Sequence, residues 1–178
     1  MLLLWALPLR AAETTVELDP SRSTVAFSLA ATLHTVHGSF QIKRGTLKFD
    51  SSTGQASGEI VIDVVSGNTG NGSRDQRMHK EILESAKYPE AIFTPTHVTG
   101  LVPTEGEVEV ELQGSFRIHG TVHELTVHCR TAIKAGQVLA STVFTIPYVQ
   151  WGIKNPSTFL LRVSDKLEMR VEAAGRLQ

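Results

Sequence analysis

The sequence predicts an all-β protein: an eight-stranded antiparallel up-and-down barrel with one short helix between two strands. Polar and apolar residues alternate without a break in Glu107–Arg117 and Lys166–Ala173. Strict alternation is typical of antiparallel strands that have one face in water and one in a core. Further segments of strand length follow at meander spacing. Their connections are mostly short, which favours a closed barrel over a sandwich with long crossing connections.

Composition indicates a single domain with its own core. The chain has 178 residues, 41% of them hydrophobic, and a net charge of −1. That length supports a core without disulfides or a structural metal, and the overall charge balance gives no electrostatic footprint for nucleic acid or for an anionic membrane. The single cysteine, Cys129, excludes an internal disulfide. By the parity of its strand it is expected to be a buried, inert thiol.

The N-terminus is interpreted as part of an export signal. Met1–Leu9 is an apolar run too short to span a bilayer. Together with the small residues that follow, it resembles the end of a signal peptide and its cleavage site. The chain is therefore divided into residues 1–12, a truncated signal remnant, and residues 13–178, the barrel domain. A periplasmic or secreted location without an integral membrane span is expected.

The first half of the barrel domain is predicted from alternation and turn residues. Val25, Phe27 and Leu29 give the first strand a strongly apolar face. A bend or bulge is expected within Leu33–Gly38, and another bulge at Gly45, where the inward parity shifts. The remaining predicted elements here are the strand 39–49, a turn at Asp50–Gly54 and a strand at Gly58–Val65.

One helix is predicted between the strands, within Ser66–Pro95. Ser73 is a good N-cap for a helix that begins at Arg74, and Pro89 prevents its continuation. One side is apolar, through Met78, Ile82 and Leu83. The other side is expected in water and comprises Arg74, Gln76, Arg77, Lys80, Glu81 and Glu84. Such a lone helix is expected to cover an open end of the β-structure.

The second half supplies the remaining strands. His119-Gly120 is read as a tight hairpin turn between the strands 107–118 and 121–131. Other predicted strands are Ala91–Val98, Val138–Pro147, Phe159–Val163 and Lys166–Ala173.

The inward positions of these strands are rich in phenylalanine. A barrel of about eight strands is filled by side chains or holds one slender ligand, and the pattern leaves both open. The residues expected to line the interior, as candidates for ligand binding, are Phe27, Leu29, Phe40, Phe49, Phe93, Leu112, Phe116, Phe144, Ile146, Phe159 and Met169.

The chain resembles a known family in four places. Phe27–Phe40 reads F-S-L-A-A-T-L-H-T-V-H-G-S-F. Ser66–His79 reads S-G-N-T-G-N-G-S-R-D-Q-R-M-H, and Tyr88–Phe93 reads Y-P-E-A-I-F. Leu112–Val127 forms a hairpin, L-Q-G-S-F-R-I-H-G-T-V-H-E-L-T-V. In these motifs the chain is similar to the YceI-like family of lipocalin-fold, polyisoprenoid-binding proteins, from about Thr15 to Gly175.

The resemblance implies an elongated barrel with a hydrophobic tunnel, often exported to the periplasm. It implies a long-chain amphiphile as ligand: a prenyl quinone, a polyprenyl pyrophosphate, or a fatty acid or amide. It attaches no catalytic residues and no cofactor, and it leaves a homodimer open. Each isoprene unit moved out of water would gain roughly 3 kcal/mol, so a few units would outweigh the usual costs of association.

Polar residues near the tunnel mouth are the candidates for a headgroup site: His37, Arg74, Asp75, His79 and Trp151. Arg74 and Asp75 also fit a structural role, in which they fix the start of the helix. Tyr148 and Trp151 are expected to pack over a rim or to plug the far end of the barrel. Two alternatives to the carrier remain: an enzyme that binds a metal through histidines such as His34 and His37, and an interaction protein with a filled barrel.

Overall fold

The computed structural model describes residues 13–100, 103 and 105–178. The interpretation of residues 1–12 as a signal remnant therefore lies outside the described residues. No helix in the described ranges is long and apolar enough to cross a bilayer. The elements are the strands β1 (Glu13–Leu18), β2 (Thr24–Ala30), β3 (Thr35–Asp50), β4 (Ala56–Asn68), β5 (Glu90–Thr99), β6 (Gly106–Ile118), β7 (Thr121–Lys134), β8 (Gln137–Ile146) and β9 (Leu167–Leu177), and the helix α1 (Gly72–Arg77).

These strands close into one antiparallel barrel of eight positions. The sheet order runs β3, β2, β9, β8, β7, β6, β5, β4, and the pairing of β4 with β3 completes the ring. Strand β1 pairs with the far half of β3 and with the end of β9, in line with β2. Thus β1 and β2 together occupy one barrel position. The predicted eight-stranded up-and-down barrel is confirmed.

The break between β1 and β2 is a single 3₁₀ turn, Pro20–Arg22. The Asp19 carboxylate accepts a hydrogen bond from the Ser21 N–H at 3.0 Å and so caps this turn. Proline cannot donate to a strand ladder, which favours an interruption at this point. The sequence-based prediction began its first strand at Val25 and did not include β1.

Burial along the strands follows the predicted alternation. In β6, Leu112, Gly114 and Phe116 are buried, while their neighbours Gln113 and Arg117 are exposed. Gly114 is required by a close approach of two strands, because a Cβ there would lie 2.3 Å from the Thr94 carbonyl oxygen. The hairpin at His119 and Gly120 is also confirmed, and both residues adopt positive φ, as its tight turn demands.

Two features of β3 differ from the prediction. The bend that precedes it lies at residues 32–34, and the ladder runs from Thr35 onward. The register with β4 shifts between Ser39 and Gln41 and again between Ile42 and Arg44. Gly45, where a bulge was predicted, pairs regularly. The parity shift in the sequence is therefore produced by residues just before the glycine.

The predicted strand Phe159–Val163 is wrong. The chain from residue 147 to residue 166 is a long loop, and only Val163 makes an isolated bridge, to Ala31. Phe159 is 96% exposed, so it does not point into the barrel. Short hydrogen-bonded turns replace the strand: Thr158 N–H donates to the Leu161 carbonyl oxygen at 2.8 Å.

The helix begins earlier than predicted and changes type. Its N-cap is Asn71, whose side chain accepts from the Arg74 N–H at 3.0 Å, and not Ser73. After α1 the chain widens into a π-helical turn, Met78–Ile82. Leu83 N–H closes that turn on the Met78 carbonyl oxygen. The wider turn lets Met78, Ile82 and Leu83 all face the barrel interior, and the predicted covering role of the helix is confirmed.

Candidate functional site: a divided apolar bore

The barrel interior contains two cavities, stacked end to end. The upper chamber lies under the helix and has a volume of about 310 Å³. The lower chamber lies deeper in the barrel and has a volume of about 180 Å³. Because a cavity of about 150 Å³ accepts one benzene ring, the upper chamber has room for about two such rings and the lower chamber for one. The bore is therefore not filled by its own side chains.

Four side chains line both chambers and form the waist between them: Ile62, Phe116, Ile146 and Met169. They come from β4, β6, β8 and β9, on opposite walls of the ring. Met169 is unbranched at every rotatable bond and adapts its shape at low energetic cost. A slender chain that displaces this side chain would join the chambers into one bore.

The helix is fixed over the upper chamber by a compact polar network at Thr69. The Asp75 carboxylate accepts from the Thr69 N–H at 2.9 Å and also from its hydroxyl. Arg74 donates from Nε to the Thr69 hydroxyl at 2.7 Å and from a terminal nitrogen to the Thr69 carbonyl oxygen at 2.9 Å. The structural role predicted for Arg74 and Asp75 is therefore present. It anchors the start of the helix to the end of β4.

The mouth of the upper chamber is cationic. Arg74, Arg77 and His34 are part of its lining, and the side chains of Arg77 and His34 are exposed. The chamber therefore opens to solvent at this rim. Within the described residues, no other basic and no acidic side chain lines either chamber. Arg77 was predicted on the solvent-facing side of the helix. It lies at the boundary between solvent and the upper chamber, since its side chain is exposed and also lines the chamber.

The other predicted mouth residues lie elsewhere. His37 is exposed on the outer wall, where its Nδ1 lies 3.0 Å from the Ser28 hydroxyl. His79 lies behind the helix, between the Ser85 hydroxyl at 3.0 Å and the Gly67 carbonyl oxygen at 2.9 Å. His37, Asp75 and His79 do not contribute to the lining of either chamber. The chamber linings thus do not support a headgroup role for these three residues, and that role stays a prediction.

Trp151 and Tyr148 lie in the loop 147–166 and cover the rim, the first of the two positions considered above. Trp151 stacks on His123, with ring centroids 4.3 Å apart, and its ring centroid lies 6.1 Å from that of Phe116. Tyr148 is buried against the upper chamber and donates from its hydroxyl to the Ser164 carbonyl oxygen at 2.6 Å. Burial, with a smaller effect from Asp165, raises the pKa of Tyr148 to about 12. This phenol therefore stays a hydrogen-bond donor.

The lower chamber is apolar apart from a few small groups. Burial raises the pKa of the Cys129 thiol to about 11, which fits the inert thiol predicted from the sequence. Across the ladder from Cys129, the Thr142 hydroxyl is buried without a hydrogen-bond partner of good geometry. Such a chamber favours hydrocarbon over water, because water needs several polar partners.

The predicted lining residues are brought together, with the exception of Phe159. Phe27, Leu29 and Phe40 line the upper chamber, while Phe116, Ile146 and Met169 are at the waist. The lower chamber contains Phe49, Phe93, Leu112 and Phe144. The sequence-based list missed the helix and loop contributions to the upper chamber. The apolar stripe Met78–Leu83 was the signal for the helix; the loop residues Ile153 and Leu161 carry no periodic signal.

The histidines do not form a metal site in the described part of the chain, where no group of three or more His, Cys, Asp or Glu side chains is placed to hold an ion. His34 faces the chamber mouth and His37 the outer wall, so the pair considered above is split by the barrel wall.

The fold and the interior define the class: a closed antiparallel barrel with an apolar bore whose upper chamber opens to solvent beside the helix. The family model that describes the YceI-like domain matches residues 17–174. The chain therefore belongs to the YceI-like domain family.

Two curated relatives illustrate the sequence similarity. A UPF0312 protein of Pseudomonas savastanoi pv. phaseolicola is 31% identical over 94 residues, which are 52% of this chain and 47% of the relative. Protein YceI of Escherichia coli O157:H7 is 28% identical over 97 residues, or 53% of this chain and 48% of the relative. The chain thus spans about half the length of the curated relatives it matches.

Solved structures show the same fold. Burkholderia cenocepacia BcnA superposes with a TM-score of 0.72 at 18% identity, over 88% of this chain and 98% of BcnA. A polyisoprenoid binding domain from Saccharophagus degradans, implicated in plant cell wall breakdown, gives a TM-score of 0.69 at 15% identity, over 92% and 98% of the two chains. A Campylobacter jejuni YceI protein gives 0.65 at 18% identity, over 82% and 87%.

Proposed function

We propose that this protein binds and carries a long-chain isoprenoid lipid, with the hydrocarbon tail in the bore and the headgroup at the cationic mouth. The observation that carries the proposal is the pair of apolar chambers under the helix, about 310 and 180 Å³ in volume. Family membership and the polyisoprenoid-binding neighbour support the same class of ligand. A tunnel-bound lipid needs no catalytic group, and binding without chemical change is the proposed activity.

The chamber volumes bound the tail. At the benzene-based scale of about 25 Å³ per carbon, the upper chamber holds about twelve carbons and the lower chamber about seven. A tail of about four isoprene units would then fill both and cross the waist. Longer tails would leave their headgroup beyond the mouth. We therefore expect the strongest binding near four units.

The mouth favours an anionic or strongly accepting headgroup. Arg77 is the residue with capacity to spare, because Arg74 already donates to Thr69. Arg77 makes one exposed ion pair, from its Nε to Glu81 at 3.3 Å. A diphosphate or a quinone oxygen at this rim would accept charge-assisted hydrogen bonds from Arg77. We also propose an exported location for the carrier, on the signal-like character of residues 1–12.

The test compares two ligands that share one tail. Calorimetric titration with geranylgeranyl diphosphate and with geranylgeraniol is expected to give binding of both, tighter for the diphosphate. Arg77→Gln should weaken the diphosphate by about three- to fivefold, as expected for a partly exposed charge pair, and leave the alcohol unchanged. Lys80→Gln is the matched control, since Lys80 is exposed on the same helical segment and does not line the chamber. If wild-type protein takes up neither ligand, the proposal is wrong.

A further inference from the structure

Three exposed apolar side chains project at the open end of the barrel. Phe159 is 96% exposed, Leu160 86% and Leu33 83%. Large apolar side chains grouped at one place on a surface mark an interaction site more often than scattered ones do. We call Leu33, Phe159 and Leu160 the apolar rim.

Hydrogen bonds hold the two loops of the apolar rim side by side. Thr32 N–H donates to the Arg162 carbonyl oxygen at 2.9 Å, and Arg162 N–H donates to the Thr32 hydroxyl at 3.1 Å. One residue further along, Ala31 forms a bridge with Val163. Leu33 and the turn with Phe159 and Leu160 therefore extend from one small ladder. These hydrogen bonds fix the position of the apolar rim at the mouth of the chamber.

The tip of that turn is also fixed. Thr158 N–H donates to the Leu161 carbonyl oxygen at 2.8 Å, and Leu161 N–H donates to the Thr158 hydroxyl at 3.1 Å. This closure projects Phe159 and Leu160 into solvent, while Leu161 and Val163 turn back and line the upper chamber. Apolar surface thus continues from the chamber wall to the exposed tip.

The charged residues of the loop that carries the apolar rim indicate which kind of surface the rim contacts. The loop 147–166 carries Lys154, Arg162 and Lys166, all exposed, against a single acid, Asp165. Cations beside exposed aromatic and aliphatic side chains match the surface of a bilayer that contains anionic lipid, where the apolar groups enter the interface and the cations meet the headgroups.

We propose that the apolar rim docks the open end of the barrel on an anionic lipid bilayer, so that a lipid passes between the bilayer and the upper chamber without crossing water. This inference rests on the proposed carrier function, because a lipid carrier needs a place to exchange its cargo. The apolar rim contacts the lipid surface for two reasons. It is continuous with the chamber that receives the tail, and its loop carries basic residues.

Vesicle flotation tests the docking. Wild-type protein is expected to float with vesicles of phosphatidylcholine and a minority of phosphatidylglycerol, and to float less with phosphatidylcholine alone or in high salt. The double variant Phe159→Ser/Leu160→Ser should partition at least about tenfold more weakly, from the loss of its interfacial apolar area. Leu139→Ser is the matched control, because Leu139 is a 53% exposed leucine in β8, on the outer wall away from the mouth, and it should float like wild type.

Binding of geranylgeraniol in vesicle-free solution separates this inference from the proposed function. The double variant should keep wild-type affinity there, which also shows that it is folded. If wild type fails to float, or if the double variant floats equally well, the docking proposal is overturned even where geranylgeraniol binds. If flotation behaves as expected but geranylgeraniol does not bind, the carrier proposal fails and the lipid-surface contact stands. Absence of flotation, with self-association lost in the double variant, would assign the rim to a second copy and also overturn the docking.

Discussion

A phenylalanine in place of Thr142 would close most of the lower chamber. Thr142 lies in β8 and directs its side chain into that chamber, where its hydroxyl has no good partner. The substitution adds a net of about four heavy atoms. At about 25 Å³ per atom, they occupy roughly 100 Å³ of a chamber of about 180 Å³. The remaining space is too small for a prenyl end.

The expected loss of affinity follows from the carbons that are excluded. About seven carbons of a four-unit tail would lie in the lower chamber. Transfer of that many groups from water sets an upper bound of about 6 kcal/mol. At the typical efficiency of about 0.3 kcal/mol per atom for larger ligands, the loss is nearer 2 kcal/mol. That corresponds to about 30-fold weaker binding.

Displacement of a fluorescent prenyl probe by geranylgeraniol and by the shorter geraniol measures this effect. Thr142→Phe should weaken geranylgeraniol about 30-fold and leave geraniol unchanged, because geraniol fits in the upper chamber alone. Val143→Phe is the control: the next residue of the same strand is exposed on the outer wall. Equal losses for both alcohols, or no loss for either, would refute the assignment of the two chambers to one continuous tail.

Two further predictions concern the thiol and the helix cap. Cys129 should react only slowly with iodoacetamide at pH 8, and its rate should keep rising toward pH 11, because the folded-state pKa of the thiol is raised to about 11. The thiol keeps its proton to higher pH in the folded chain than in the unfolded chain, so the free energy of unfolding should fall between about pH 9 and pH 11. Cys129→Ala should remove this fall. A plateau of the alkylation rate near pH 9 would contradict the burial of the thiol. Asn71→Ala should lower the free energy of unfolding by about 1 kcal/mol in urea denaturation, whereas Ser73→Ala should change it little, since the Asn71 side chain accepts from the Arg74 N–H; the reverse order would restore Ser73 as the cap.

Much of the barrel was predictable because period-two alternation is a direct consequence of strands with one wet face. The segments that became β6 and β9 show it without interruption, and the structure places them as predicted. Strand β1 was not predicted because the chain breaks at Pro20, before β2 continues in the same barrel position. No local pattern shows that two short strands share one position.

Errors at the site have local physical causes. Phe159–Val163 is apolar enough for a strand, but the turn closed by Thr158 and Leu161 exposes Phe159. The bend at residues 32–34 decides which histidine faces the chamber mouth, and it selects His34 over His37. Two good cap residues stand two positions apart at the helix start, and the choice of Asn71 depends on side-chain geometry that sequence does not encode locally.

Whether the bore is open or filled could not be predicted from the residue pattern; only the family resemblance implied a tunnel. The same inward phenylalanines serve a packed core and a lipid tunnel equally well. The answer depends on how side chains from opposite walls meet, as Phe116 and Met169 do at the waist while leaving a chamber on either side.

Native mass spectrometry of the protein made in its own host examines the occupancy of the bore most directly. We expect one additional mass per chain, released by organic solvent and identified as a prenyl lipid, and uptake of one geranylgeraniol by the stripped protein. A bare protein mass together with no uptake of geranylgeraniol would show that the chambers hold no isoprenoid.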